Sequence, residues 1–279
     1  MIRIGPAGWD YQDWQGVVYP PAVRGTDRLT FLTQFFATIE INVTFYRPIT
    51  ATLARHWLEA VAGRPDFRFT AKLFRGFTHE RTATPWQEEA AVKSGLAALL
   101  EGGRLGALLA QFPYSFHNTE ENRVYLLTVR ERFAGYPLAI EVRHRSWQQP
   151  AVRQFLADHH LAFCNLDQPQ ISYSLGETDW VSGPFAYLRL HGRNRQNWFA
   201  KSDDAGARYD YLYTSQEIDE QAARARKLAA QADETYLIFN NHARGQAVAN
   251  ALEMLERLTD QRPALPECLK SAFGRLAYF

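Results

Sequence analysis

The chain has 279 residues, of which 46% are hydrophobic and 22% charged. That is the composition of a folded globular protein and argues against disorder. Its 31 basic and 30 acidic residues leave a net charge of +1, which removes bulk charge as a reason to expect nucleic acid or membrane.

Taken in chain order, short apolar runs alternate with amphipathic ones. Strands are predicted at residues 2–5, 38–44, 67–72, 107–112, 138–143, 162–167, 186–191 and 235–240. The helix at 27–37 carries Leu29, Leu32, Phe35 and Phe36 at helical spacing, and the one at 51–62 carries Leu53, Trp57, Leu58 and Val61. The next, 86–100, follows Pro85, a favoured first-turn residue, and stops before Gly102-Gly103. Helices at 119–133 and 150–159 start at Thr119 and after Pro150. Thr214 and Glu217 form a capping box for 215–231, and 246–258 closes the series. Residues 168–185, with Pro169, Gly176, Gly183 and Pro184, read as loop in place of a helix. Eight such alternations over about 250 residues predict an α/β fold, a single (β/α)8 TIM-type barrel across residues 1–279.

Alternate strand residues face opposite ways. Ile41 and Val43 oppose Glu40, Asn42 and Thr44. Phe67 and Phe69 oppose Arg68, Thr70 and Lys72; Ile140 and Val142 oppose Glu141 and Arg143. Cys164 and Leu166 oppose Asn165 and Asp167; Leu188 and Leu190 oppose Tyr187, Arg189 and His191. Gln111 and Asn240 end two more strands. The apolar face suits the helix layer, so the polar face is expected to line the axis, gathered at the strand C-terminal ends where barrel enzymes keep their sites.

The two cysteines, Cys164 and Cys268, fit neither a disulfide framework nor a zinc site, and a reduced, cytoplasmic setting is the expectation. The first residues lack the apolar core of a signal peptide, and no stretch approaches 18 apolar residues. No cofactor and no metal are expected, since clustered ligand spacings and phosphate fingerprints are absent. The basic residues are lopsided, 26 Arg against 5 Lys. Genomic composition accounts for that, and so does recognition of phosphate or carboxylate by guanidinium forks.

Ordered blocks along nearly the whole chain resemble the YecE-like family, known as domain of unknown function 72. They are Gly8-Trp9-x-Tyr11-x-x-Trp14, Glu40-Ile41-Asn42-x-Thr44-Phe45-Tyr46, Phe69-x-x-Lys72, Thr78-His79 and Gln111-Phe112-Pro113. Then follow Glu141-x-Arg143-His144-x-Ser146-Trp147, Asp167-x-Pro169, Arg189-x-His191-Gly192-Arg193 with Trp198, and Phe239-Asn240-Asn241-His242. The resemblance implies a TIM-type barrel and no established activity.

The residues themselves favour a barrel enzyme acting by acid–base chemistry on a small anionic or sugar-like substrate. Glu141, Asp167 and His191 are the candidate catalytic groups, with His191 expected to titrate near neutrality or to be held by a carboxylate. Lys72, Arg143, Arg189 and Arg193 would hold the anion. Asn42, Gln111, Asn165, Asn240, Glu40, His144 and His242 would orient the substrate, and Trp9, Tyr11, Tyr46, Trp147 and Trp198 would supply stacking surface. The long loop 192–214 interleaves Arg193, Arg195, Lys201 and Arg208 with Trp198, Tyr209, Tyr211 and Tyr213, either to grip a ligand or to form a lid with packed tyrosines. Hydrolysis, elimination and isomerisation all use such parts. The alternatives are a nucleic-acid-binding or -processing barrel, disfavoured by the near-neutral charge, and a metabolite-binding barrel without turnover.

Overall fold

Among the described residues, eight strands pair in parallel round one sheet: from the second to the eighth each pairs with the next in sequence, and the first pairs with the last. The computed structural model describes residues 1–81, 86–198, 206–259 and 262–279. Pro85 and Lys201 lie outside the described residues. The strands are β1 (Ile2–Pro6), β2 (Thr38–Ile41), β3 (Arg68–Lys72), β4 (Leu105–Gln111), β5 (Leu138–Glu141), β6 (Ala162–Asp167), β7 (Ala186–Leu190) and β8 (Thr235–Phe239). A bridge between Ala7 and Glu40, with Gly8 N–H donating to the Glu40 carbonyl at 2.8 Å, joins β1 to β2. Gly5 lets the two strands meet there, because a Cβ at that position would stand 1.7 Å from the Thr38 carbonyl oxygen.

The helices are α1 (Asp27–Leu32), α2 (Val43–Tyr46), α3 (Ala51–Ala60), α4 (Trp86–Glu101), α5 (Glu120–Arg132), α6 (Pro150–Asp158), α7 (Ser215–Ala229), α8 (Gln246–Thr259) and α9 (Glu267–Ala272). Thr50, Thr119 and Thr214 cap α3, α5 and α7 through their side chains, and Glu217 completes the capping box of α7. Leu29, Trp57, Leu126, Val129, Val152, Leu156, Ile218 and Leu228 bury their apolar stripes. Two features differ from the sequence reading. The second strand stops at Ile41, and residues 43–46 turn into one helical turn, with the Thr44 hydroxyl donating to the Ile41 and Lys72 carbonyls. The helix predicted at 27–37 ends at Leu32.

No helix forms between β6 and β7: residues 168–185 run as turns and extended chain. The loop's backbone needs hydrogen-bond partners that a helix would have supplied to itself. Asn165 provides them, its side-chain oxygen accepting from Trp180 N–H at 2.9 Å and its amide donating to the Trp180 carbonyl at 2.9 Å. Arg224 of α7 supplies more, donating to the Thr178 carbonyl at 2.8 Å and to Asp179 at 3.0 Å. Among the described residues, no helix is long and apolar enough to cross a membrane.

Candidate functional site at the barrel mouth

Strand register sets which side chains reach the axis. Glu40 pairs across to Thr70, Lys72 to Leu109, Gln111 to Glu141, and Leu166 to Arg189. Arg189 is 1% exposed and lies at the centre. Its Nε and Nη2 grip both oxygens of Glu40, with Nε at 2.9 Å, and its Nη1 donates to Glu141 Oε2 at 2.8 Å. The Tyr187 hydroxyl lies below, within hydrogen-bond distance of Glu40 Oε2 (2.9 Å) and Thr70 Oγ1 (3.0 Å). Arg143 Nη2 takes the remaining Glu141 oxygen at 2.6 Å. Both carboxylates are fully buried, a placement tolerated only with such pairing. Burial alone would raise the pKa of Glu141, but Arg189 and Arg143 more than offset it and hold the carboxyl well below the usual range.

Asn240 and His191 extend the network. Asn240 Oδ1 lies 3.2 Å from Arg189 Nη2, its amide nitrogen lies 3.0 Å from His191 Nδ1, and His191 Nε2 lies 3.4 Å from Glu141 Oε1. A guanidinium only donates, so the Asn240 oxygen must face Arg189 and the amide N–H must face the imidazole. Nδ1 therefore accepts, and the ring proton sits on Nε2, directed at Glu141. Burial, reinforced by Arg143, lowers the His191 pKa to about 3. Of the two alternatives that the sequence leaves for His191, this is the second. His191 is held by a carboxylate, but it does not titrate near neutrality; it is a neutral donor.

Lys72 is the exception in this saturated network. Among the described residues its ammonium has no hydrogen bond or ion pair; Nζ rests 4.1 Å from the centroid of the Phe45 ring. Burial, then the nearby Arg189 charge, lowers its pKa to about 7 against the pull of Glu40 and Glu141. Two more residues at the mouth keep unpartnered polar atoms. Arg143 Nε and Nη1 have no partner among the described residues, and the buried Gln111 Oε1 accepts no hydrogen bond. Trp198 and Tyr209 roof the site, with ring centroids 6.1 and 6.2 Å from His191, and Trp198 also lies 5.6 Å from the Arg143 guanidinium. Tyr209 continues to His242 (5.2 Å), which stacks on Tyr11 at 4.5 Å.

Several sequence candidates lie elsewhere. Asp167 and Asn165 face the helix layer, and Cys164 faces the axis, its sulfur 4.0 Å from Glu141 Oε2. The parity expected for β6 is thus inverted: its polar residues find their partners outside the barrel, Asn165 at Trp180 of the 168–185 loop and Asp167 further along. Asp167 accepts from Arg193 (2.7 Å), the Tyr213 hydroxyl (2.5 Å) and Gln221 of α7 (3.3 Å). Arg193 is spent there and on Glu217 (3.1 Å), not free for an anion. Gly192, at φ +85°, brings its N–H to the Tyr213 hydroxyl at 2.8 Å. Trp147 is core, 1% exposed, stacked on Phe116 and donating to the Phe116 carbonyl at 2.6 Å. His144 caps the following turn and stacks on His117 at 4.0 Å. Tyr46 is exposed. Trp9 and Asn42 line a separate cleft of about 450 Å³ between the ends of β1 and β2 and helices α1 and α3, with Tyr11 on its wall.

His79 was missed as a site residue. It meets Phe45 edge-on at 4.9 Å, and burial together with Lys72 and Arg143 lowers its pKa to about 4. It sits seven residues past Lys72, beyond any strand periodicity; its place in the Thr78-His79 block was the only signal.

The family model described as "Protein of unknown function DUF72" matches residues 3–272. The UPF0759 protein YunF of Bacillus subtilis is 30% identical over 277 residues, covering 92% of this chain and 95% of that protein. The crystal structure of a DUF72 family protein from Thermotoga maritima superposes with a TM-score of 0.82 at 32% identity, over 92% of this chain and 99% of that one. A DUF72 family protein from Enterococcus faecalis gives 0.81 at 29% identity, over 95% and 98%.

Two predictions follow from the geometry. The unfolded chain takes up a proton on each histidine near pH 6.5 that the fold refuses until about pH 4 for His79 and pH 3 for His191. Folding stability should therefore fall as pH drops below 6.5, by about 2.7 kcal/mol per unit for two such protons. Urea unfolding at pH 6, 5.5 and 5 should show this slope, and His191→Asn should halve it; an unchanged slope contradicts the buried neutral imidazole. Asp167→Asn should lower stability by about 3 kcal/mol, as a broken buried pair does, while leaving ligand binding at the mouth within about twofold of wild type by calorimetry.

Proposed function

The chain belongs to the DUF72 family of proteins of unknown function, and we propose that its barrel mouth carries out acid–base chemistry on a small anionic or sugar-like substrate. One observation carries this reading. Among the described residues, Glu40 and Glu141 are both consumed by Arg189 and Arg143, so Lys72 is a cation of the mouth with no carboxylate to match it.

A monoanionic group placed between Lys72 and the free N–H groups of Arg143 would balance that charge, and the Gln111 oxygen would accept from a substrate hydroxyl or amine. The roles assigned from sequence shift accordingly. Glu141 is a strongly stabilised carboxylate, and a weak base for that reason. His191 is a neutral donor whose Nε2–H is held on Glu141 and keeps that carboxylate in place, and Lys72 is the group poised to exchange a proton at neutral pH. The rings of Phe45, Trp198 and Tyr209 give a sugar or planar ligand its apolar contact and thin the water around the charges, which strengthens each of them.

The test is calorimetric titration with inorganic phosphate and with small phosphorylated and carboxylated compounds. One saturable site is expected. Arg143→Gln should weaken it at least about tenfold, a loss of roughly 1.4 kcal/mol. Log affinity should fall with log salt at the shallow slope of one or two neutralised charges. A slope of six or more, with tight binding to DNA or RNA, would mark a multi-phosphate footprint and overturn the small-substrate reading.

A further inference from the structure

We propose that Lys72 is a covalent nucleophile, and that the substrate is a small carbonyl compound bearing one anionic group, condensed onto Nζ as a Schiff base. The inference rests on the preceding reading that the mouth takes a small anion, and it adds the bond that forms there.

Four observations lead to it. Nζ is unencumbered: among the described residues it makes no ion pair or hydrogen bond, and one side of it is closed by the Phe45 ring at 4.1 Å. A lysine kept only for its charge would be expected to reach one of the two nearby carboxylates, yet both are held by arginines. Secondly, the charged and titratable groups around it are fixed. Glu40 comes from β2, Glu141 from the end of β5 and Arg143 from just after it, Arg189 from β7 and His191 from just after it, and His79 from the loop after β3. Burial and the two guanidinium charges favour the uncharged amine, and at a pKa of about 7 half of it is free to attack at neutral pH. Thirdly, the chain uses 26 Arg and only 5 Lys, and the other two cations of the mouth are Arg. Arginine supplies permanent charge; lysine is the one cation of the three that can lose its proton. Finally, the partners a carbonyl adduct needs are in place. Arg143 Nε and Nη1, unpartnered among the described residues, are offered to the anionic arm, and the orphaned Gln111 oxygen ends the strand next to the one that carries Lys72.

The step balances without a redox partner. The Nζ lone pair forms a bond to the carbonyl carbon, and the C=O π pair moves to oxygen, which takes up a proton. The nitrogen loses a proton to give a neutral carbinolamine. A second proton, from solvent, lets the hydroxyl leave as water, and the nitrogen lone pair closes the C=N bond. The net change is amine plus carbonyl plus one proton, giving a protonated imine and water. That imine withdraws electrons from the neighbouring carbon, which serves lyase or isomerase chemistry and not simple hydrolysis.

The probe is glyoxylate, an aldehyde with one carboxylate, incubated with the intact protein and sodium cyanoborohydride at pH 7. Cyanoborohydride delivers hydride to the imine and leaves a carboxymethyl amine, located by peptide mass mapping. Labelling at Lys72 should be at least about tenfold faster than at any of the other four lysines, should stop with excess inorganic phosphate, and should be absent in Lys72→Arg. Labelling of Lys72 no faster than the other lysines overturns the proposal, whether or not phosphate binds. Phosphate titration of the same wild-type sample reads the underlying site separately. Saturable binding without selective labelling removes the covalent step and leaves the anion site standing; no binding and no selective labelling removes both.

Discussion

The polar interior of this barrel hangs on one side chain. Arg189 reaches from β7 to Glu40 on β2 and Glu141 on β5, so a single guanidinium ties three strands across the axis. Barrels of this type normally fill the axis with branched apolar side chains. Here two carboxylates are buried instead, and the desolvation they incur is offset only while the arginine stands between them. Such a pairing contributes little net stability compared with apolar packing. What it does is fix geometry: the guanidinium fork fits one register of β2, β5 and β7.

That constraint generates the rest of the site. With Arg189 and Arg143 satisfying both carboxylates, Lys72 is left without an anion among the described residues. Burial, with the same arginines adding to it, pushes the lysine toward its neutral form. Burial and then Arg143 push His191 the same way, and the proton that remains on its ring is directed to Glu141 by the Asn240 amide. Charge and tautomer at the mouth thus follow from burial together with the placement of two fixed cations.

The alternation of strands and helices made the barrel legible in the sequence, including the missing helix at 168–185. So did the inward set Glu40, Lys72, Glu141, Arg189 and Asn240, because those strands alternate polar with apolar residues against a helix layer. The rule failed at β6. Asn165 faces outward to serve the loop at Trp180, a demand visible only once the absent helix is set beside the strand. Asp167 faces outward to Arg193, Tyr213 and Gln221, and Arg193 is drawn out of the site with it. Trp147 was misplaced because a buried aromatic and a stacking platform have the same sequence signature. His79 and the roof formed by Trp198 and Tyr209 depend on loop paths, which carry no periodicity. The neutral state of His191 could not be read at all, since it follows from total burial and not from residue type.

The most direct measurement is the titration of Lys72 itself. With lysine labelled by ¹³C at Cε, five resonances are expected, and Lys72→Arg identifies the one of interest. If the two arginines hold the carboxylates and leave Lys72 unmatched, its shift should move with a midpoint near pH 7. A midpoint at the ordinary value of 10.5, or above it, would mean that Lys72 is paired with Glu40 or Glu141, and that the arrangement of charge described for the mouth is wrong.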